Sequence, residues 1–380
     1  MSHTEASAPS DLATSAGPAE ASVTWPDRQR ERAFEAWLRD ISASHGLDGA
    51  SLRPASADAS FRRYFRIDAR QGSLIIMDAP TQQEDSQPFV TVAGLMAAAG
   101  LRVPMVLDWQ QQHGFLLLTD LGPRTMMQAI DPGGDPGACQ ALYLQAVEQL
   151  LLWQKASRPD LLPPYDEPLL RRELELFPAW YLQRHRAQDV VAEMRATLDT
   201  AFACITAQNL SWPRVFVHRD FMPRNLMLPT QPAGAPSAAT EPDMRLGLLD
   251  FQDAVYGPVT YDIASLLRDA FLSWDEEFVL DITIRYWEKA RAAGLPVGAD
   301  FGEFYRGVEW MGLQRHLKVA GIFARLSLRD GKPRYLADTP RFIGYIRSTA
   351  GRYRELKPLL RLIDRVEEIS SRSGYAFGPV

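Results

Sequence analysis

The stretch Val217-His218-Arg219-Asp220-Phe221-Met222-Pro223-Arg224-Asn225 decides how the rest of this 380-residue chain is read. It has the form H-R-D-x-x-x-x-N. In that pattern the aspartate faces an attacking hydroxyl, and the asparagine curls back to hold a metal ion on the transferring phosphates. A second half follows at Leu248-Leu249-Asp250-Phe251, where an aspartate closes an apolar strand and can chelate magnesium. Either motif alone also fits an aspartate capping a turn. Their order, with a strand-rich segment upstream, favours the catalytic reading.

Working outward, residues 28–44 carry apolar positions at helical spacing (Ala33, Phe34, Trp37, Leu38, Ile41), which predicts an amphipathic helix. Segments 61–68 and 74–78 read as strands around the turn-prone Ala69-Arg70-Gln71-Gly72. A helix over 88–99 stops at Gly100, and two strands follow over 103–109 and 115–119. After Gly122 helical patterns dominate, over 138–155, 167–184, 188–207, 259–271, 276–293, 301–328 and, with breaks, 341–371. The exception is an extended island at 214–251 that holds both motifs. Within it, residues 229–243 form an Ala/Pro/Gly/Ser/Thr-rich insert, read as a mobile surface loop. The expected fold class is α+β in two lobes. Residues 25–120 would form a small antiparallel sheet with a helix. Residues 121–371 would form a largely helical lobe carrying the catalytic loop 217–225 and the Asp strand 245–251. Residues 1–24 lack a basic start and an apolar stretch, so they read as a disordered tail and not as a signal peptide.

Composition excludes several functions. Apolar residues at 46% and charged residues at 23% support a full globular core. A net charge of -6 argues against a nucleic-acid binder. The two cysteines, Cys139 and Cys204, have no CxxC spacing, so they offer neither a disulfide framework nor a zinc site and suit a reducing cytoplasm. No apolar run approaches the roughly 20 residues of a membrane helix. The histidines form no metal spacing, and no GxxxxGK loop is present.

Together with Tyr261-Asp262-Ile263-Ala264, the two motifs resemble the aminoglycoside phosphotransferase and choline kinase superfamily, over roughly residues 51–364. The segments beginning at Asp58, Arg172, Asp250 and Arg329 are similar to the anomeric amino-sugar kinases of bacterial cell-wall recycling. That resemblance implies a protein-kinase-like fold, with ATP and Mg2+ as cofactors. It implies Asp220 as the catalytic carboxylate, Asn225 and Asp250 as metal ligands, and Asp262 as a brace of the catalytic loop. The substrate it implies is a small sugar, N-acetylmuramate or N-acetylglucosamine, phosphorylated at its C1 hydroxyl, with neither nucleic acid nor membrane as partner. Two other readings stand beside it: a kinase of an aminoglycoside or amino alcohol, and a non-catalytic nucleotide-binding module.

The chain departs from the protein-kinase pattern at its phosphate-binding lysine. Met77 holds the expected place, and helix 88–99 has no acid to pair with a lysine, so both members of the ion pair are missing together. The first hairpin, with Ser60, Phe61, Arg62, Arg63 and Arg66, is expected to neutralise the phosphates instead. Alternation puts Arg63 with Phe61, Phe65 and Ile67 toward the cleft, the alternative being exposed hairpin arginines. Arg224 either meets the transferring phosphoryl or pairs with a neighbouring acid. Asp120 and Leu121 stand where kinases present backbone to adenine. Asp253 either bonds water near the metal or caps a turn, and His218 reads as a structural hydrogen-bonder. Glu173 and Glu175 either bind sugar hydroxyls or form a charged helix face. Residues 311–341 hold seven Lys or Arg with His316, against Asp330 and Asp338. Arg315 and Lys318 share a helix face there and are expected to meet the lactyl carboxylate of N-acetylmuramate, unless the stretch is an ordinary solvated basic face.

Overall fold

The computed structural model describes residues 23–25, 27–56, 61–131, 135–229 and 243–369. They fall into two compact units. The first comprises the described residues through Ser86 together with Val106–Asp120. The second comprises Gln87–Met105 and the described residues from Leu121 onward. The expected tail over 1–24 and the insert over 229–243 lie almost wholly outside the described residues.

The first unit is one antiparallel sheet covered on one face by α1 (Arg28–His45). Asp27 caps that helix by accepting from the Arg30 amide, and Gly46 ends it in the left-handed conformation. The strands are β1 (Leu47–Ser56), β2 (Arg63–Ala69), β3 (Gly72–Asp78), β4 (Val106–Gln110) and β5 (Phe115–Thr119), in the order β1-β2-β3-β5-β4. Phe65 faces Ile76, and Ile76 faces Leu117. Their shared face packs on Phe34, Trp37 and Ile41 of α1. At the β4–β5 turn a Cβ on Gly114 would stand 1.9 Å from the Ala79 carbonyl oxygen, so only glycine fits. Strand β1 is absent from the sequence reading. It carries Gly49 and Pro54 and shifts register twice against β2, so no clean alternation survives, and its edge position tolerates the proline.

The second unit is helical apart from two short ladders. Its elements are α2 (Gln87–Ala98), α3 (Met126–Ala129), α4 (Pro136–Lys155), α5 (Glu167–Leu174), α6 (Ala192–Leu210), β6 (Arg214–Val217), β7 (Leu226–Met227), β8 (Gly247–Leu248), β9 (Val255–Pro258), α7 (Tyr261–Leu267), α8 (Glu276–Ala292), α9 (Phe301–Leu328), α10 (Thr339–Arg352) and α11 (Lys357–Val366). Strand β6 pairs with β9 and β7 with β8. The 28-residue α9 is the spine, and Trp310, Leu313, Leu317, Ala320 and Ala324 enter the main core from it. The single helix expected over 167–184 is two pieces: α5 and a π-helix over Phe177–His185. Pro178 has no amide to donate in that turn, and the chain leaves it through an i→i−5 bond from Arg186 to Tyr181. Among the described residues no helix is long and apolar enough to cross a membrane.

Candidate active site

Strand β6 delivers the chain into a loop that no ladder supports, and side chains grip its backbone instead. Arg219 has φ 76°, the left-handed region that branched and bulky residues avoid. The Asp262 carboxylate, buried at the start of α7, accepts from the amides of His218 at 2.7 Å and Arg219 at 3.1 Å. Burial pushes the Asp262 carboxyl up to about 7, against the pull of those two amides and of Arg315. Asn225 Nδ2 donates to the Asp220 carbonyl at 2.9 Å and lies 3.4 Å from Asp250 Oδ2. Gln252 Nε2 holds the other oxygen of Asp250 at 2.8 Å. The Asp220 carboxylate, half-buried, accepts no hydrogen bond from any described side chain. His218 is fully buried, and burial lowers it to about 4, so it is neutral and no base at neutral pH.

Asn225 and Asp250 meet through the Asn225 amide nitrogen, and between them the two side chains carry an amide oxygen and a carboxylate. Hard oxygen donors of this kind suit magnesium, which takes only one or two protein carboxylates when phosphates supply the rest. No cluster of three or more His, Cys, Asp or Glu able to hold a metal by itself occurs among the described residues. The donor set therefore fits a cation shared with a bound polyphosphate.

Behind the loop stands a buried charge network. Glu173 of α5 accepts from Arg219 at 2.5 Å, from the Tyr165 hydroxyl at 2.5 Å and from Lys318 at 2.9 Å. Burial alone would push the Glu173 carboxyl up, but Lys318 and Arg219 overrule it and hold it at about 2. Arg315, 5% exposed, donates to the Arg219 carbonyl at 2.7 Å and lies 4.8 Å over the Tyr261 ring.

A family model described as a phosphotransferase enzyme family matches residues 51–295. The chain belongs to this family. This phosphotransferase is 49% identical over 314 residues to the N-acetylmuramate/N-acetylglucosamine kinase of Pseudomonas aeruginosa, spanning 83% of this chain and 88% of that one. It is 45% identical over 355 residues to the enzyme of the same name from Neisseria meningitidis, spanning 92% and 100%. Among solved structures, a Plasmodium vivax ethanolamine kinase superposes with a TM-score of 0.56 at 9% identity, covering 90% of this chain and 99% of that one. An ADP-bound aminoglycoside phosphotransferase gives 0.53 at 15% identity, covering 84% and 97%. At such identities the likeness establishes the fold, which is the protein-kinase-like α+β class expected.

In this phosphotransferase several expected ligands have other employment. Glu173 is no free sugar ligand, because it is 5% exposed and neutralises Arg219 and Lys318. Glu175 chelates Arg195 through both oxygens at 2.7 Å on the far side of α5. Arg315 and Lys318 are not an open anion site, since both are withdrawn behind the catalytic loop. The basic stretch divides in two: His316 is buried against Tyr345, whereas Arg329 is exposed and pairs with Asp330 at the solvated surface. Arg224 forms no ion pair among the described residues, though its charge acts on the nearby Asp269; it is exposed and rests 4.8 Å over the Phe271 ring. The Asp253 side chain is exposed, while its carbonyl accepts from Arg219 at 3.4 Å.

The first unit corrects the hairpin reading. Phe65 and Ile67 point into the core beneath α1, and Arg63 on that face grips the buried Asp78 together with Arg30. Arg63 is therefore a structural partner and not a phosphate ligand. Arg62 pairs with Glu84 at 3.0 Å, and Arg66 with Asp120 at 2.6 Å. Asp120 also accepts from Ser73. Met77 is fully buried on the opposite face of the sheet, paired with Tyr64 and Leu116. Phe61 is 63% exposed, and Ser60 lies outside the described residues. In the second unit the Leu121 carbonyl accepts from Arg102 at 2.8 Å. Sequence reasoning missed Gln252, whose one available signal was its place two residues beyond Asp250.

Proposed function

We propose that the chain is an ATP-dependent, magnesium-dependent kinase that phosphorylates the C1 hydroxyl of N-acetylmuramate and N-acetylglucosamine. The observation that carries this is 45–49% identity, over most of both chains, to bacterial enzymes of that name. The geometry of the catalytic loop agrees. Asp220 offers an open carboxylate that accepts the hydroxyl's hydrogen bond and aligns its oxygen for in-line attack. Asn225 and Asp250 would hold magnesium, which supplies charge neutralisation on the phosphates. The transition state of phosphoryl transfer is loose, so alignment and charge matter more than base strength. Arg224, exposed four residues after Asp220, is the candidate to face the transferring phosphoryl.

A coupled ADP-release assay over N-acetylmuramate, N-acetylglucosamine, aminoglycosides and amino alcohols tests the assignment. The two amino sugars should give the highest kcat/KM, with magnesium required. Preferred turnover of an aminoglycoside or amino alcohol would overturn the substrate, and none with any acceptor would overturn the activity.

A further inference from the structure

Three side chains hold four peptide groups around Asp220. Asp262 takes the amides of His218 and Arg219, and Asn225 takes the Asp220 carbonyl. The remaining one, the carbonyl of Arg219, belongs to the peptide that leads into Asp220 itself, and Arg315 Nη1 donates to it at 2.7 Å.

We propose that Arg315 is a positioning residue for the phosphoryl-transfer step: from the middle of α9 it fixes the Arg219–Asp220 peptide and so aims the Asp220 carboxylate. This rests on Asp220 being the group that aligns the acceptor hydroxyl. Arg219 stands at φ 76°, so the adjoining peptide is held in a conformation the chain does not favour by itself. Rotation of that peptide would swing the Cα–Cβ bond of Asp220. Arg315 can hold it because it is itself held: it is 5% exposed and lies 4.8 Å over the Tyr261 ring, with Asp220 and Asp262 near enough to stabilise its charge. The same burial keeps it off the substrate. A planar guanidinium stacks and donates in its own plane, which an ammonium cannot do, so lysine is an incomplete replacement.

The test compares Arg315→Met and Arg315→Lys in the full chain, using whichever acceptor the wild type turns over fastest. A wrong sugar assignment then leaves the comparison intact. A hydrogen bond from a charged group predicts a fall in kcat of about 10- to 150-fold for Arg315→Met, with KM for acceptor and MgATP within about threefold. Arg315→Lys should lose about 3- to 10-fold in kcat, again at unchanged KM. Added methylguanidinium should restore part of the kcat of Arg315→Ala. A folded Arg315→Met with wild-type kcat would overturn the proposal. So would a loss carried by acceptor KM, which would put Arg315 on the substrate. If Arg315→Met does not fold, Arg315→Lys decides: lowered kcat at constant KM upholds the role, and wild-type kcat removes it.

Discussion

Asp220 and Asp269 are both carboxylates in the second unit, and their surroundings give them opposite work. Asp220 is half-buried with no described hydrogen bond on its carboxylate oxygens, so it is available to an acceptor. Asp220→Asn should lower kcat by about 100-fold or more while calorimetry shows MgATP affinity little changed, because the role proposed for the carboxylate is on the hydroxyl. Equal turnover by the variant would remove Asp220 from the mechanism. Asp269 is 1% exposed, with one oxygen on the Phe271 amide and the other unpartnered. Burial pushes its carboxyl up to about 6, against the Phe271 amide, Arg315 and Arg224. The folded chain therefore holds this proton more tightly than the unfolded one. The stability that results is complete below about pH 4 and is lost as pH rises through about 6. Asp269→Asn cannot ionise. From pH 5 to pH 8 the wild type should lose about 1 kcal/mol relative to it, read from denaturant unfolding at both pH values. A gap that stays constant with pH would place the carboxyl in its ordinary range.

At the scale of elements, α9 fixes most of what the second unit can do, and one glycine sets how close it comes to its neighbour. A Cβ on Gly321 would stand 2.4 Å from the Leu176 carbonyl group, which is backbone and has no rotamer to yield. Gly321→Ala should cost about 1–3 kcal/mol, seen as a lowered Tm, since overpacking against a fixed neighbour forces a shift of one element. An unchanged Tm would mean that α9 and the segment after α5 separate easily. The limits of α9 were legible because its apolar spacing is unbroken from Phe301 to Leu328. The π-helix was not, since its sequence still alternates like a helix, and the effect of Pro178 on the hydrogen bonds shows only in three dimensions. The loop 217–225 and Asp250 were readable as spaced motifs, and the structure sets Asn225 3.4 Å from Asp250. The fate of Arg315 and Lys318 was not, because a charge count over 311–341 cannot tell a solvated cation from one buried against Glu173, far off in sequence. The face of Arg63 was inverted for the same reason: alternation gives two faces but not which one α1 covers.

For the molecule as a whole, each unit carries its own apolar core and its own buried acid held by two cations, Asp78 by Arg30 and Arg63, Glu173 by Arg219 and Lys318. Asp78→Ala leaves two partly buried guanidinium groups unpaired and should destabilise the first unit by about 3 kcal/mol. Hydrogen exchange should then quicken in β2, β3 and β5 while α9 keeps its protection. Uniform loss across both units would show that they open together.

The chain visits the first unit twice, and β5, which arrives second, sits between β3 and β4 in the finished sheet. On the ribosome, β3 emerges with one hydrogen-bonding edge bare and waits for a strand that begins roughly forty residues later. At about 5–20 residues per second the wait lasts about 2–8 s. During that time Ile75, Ile76 and Met77 offer an apolar template to any neighbouring nascent chain. A fragment ending at Ser86 should therefore collect in the insoluble fraction, and one extended through Asp120 should be markedly more soluble. Translational pausing shortly before Phe115 would lower the yield of active protein more than an equal pause after Thr119.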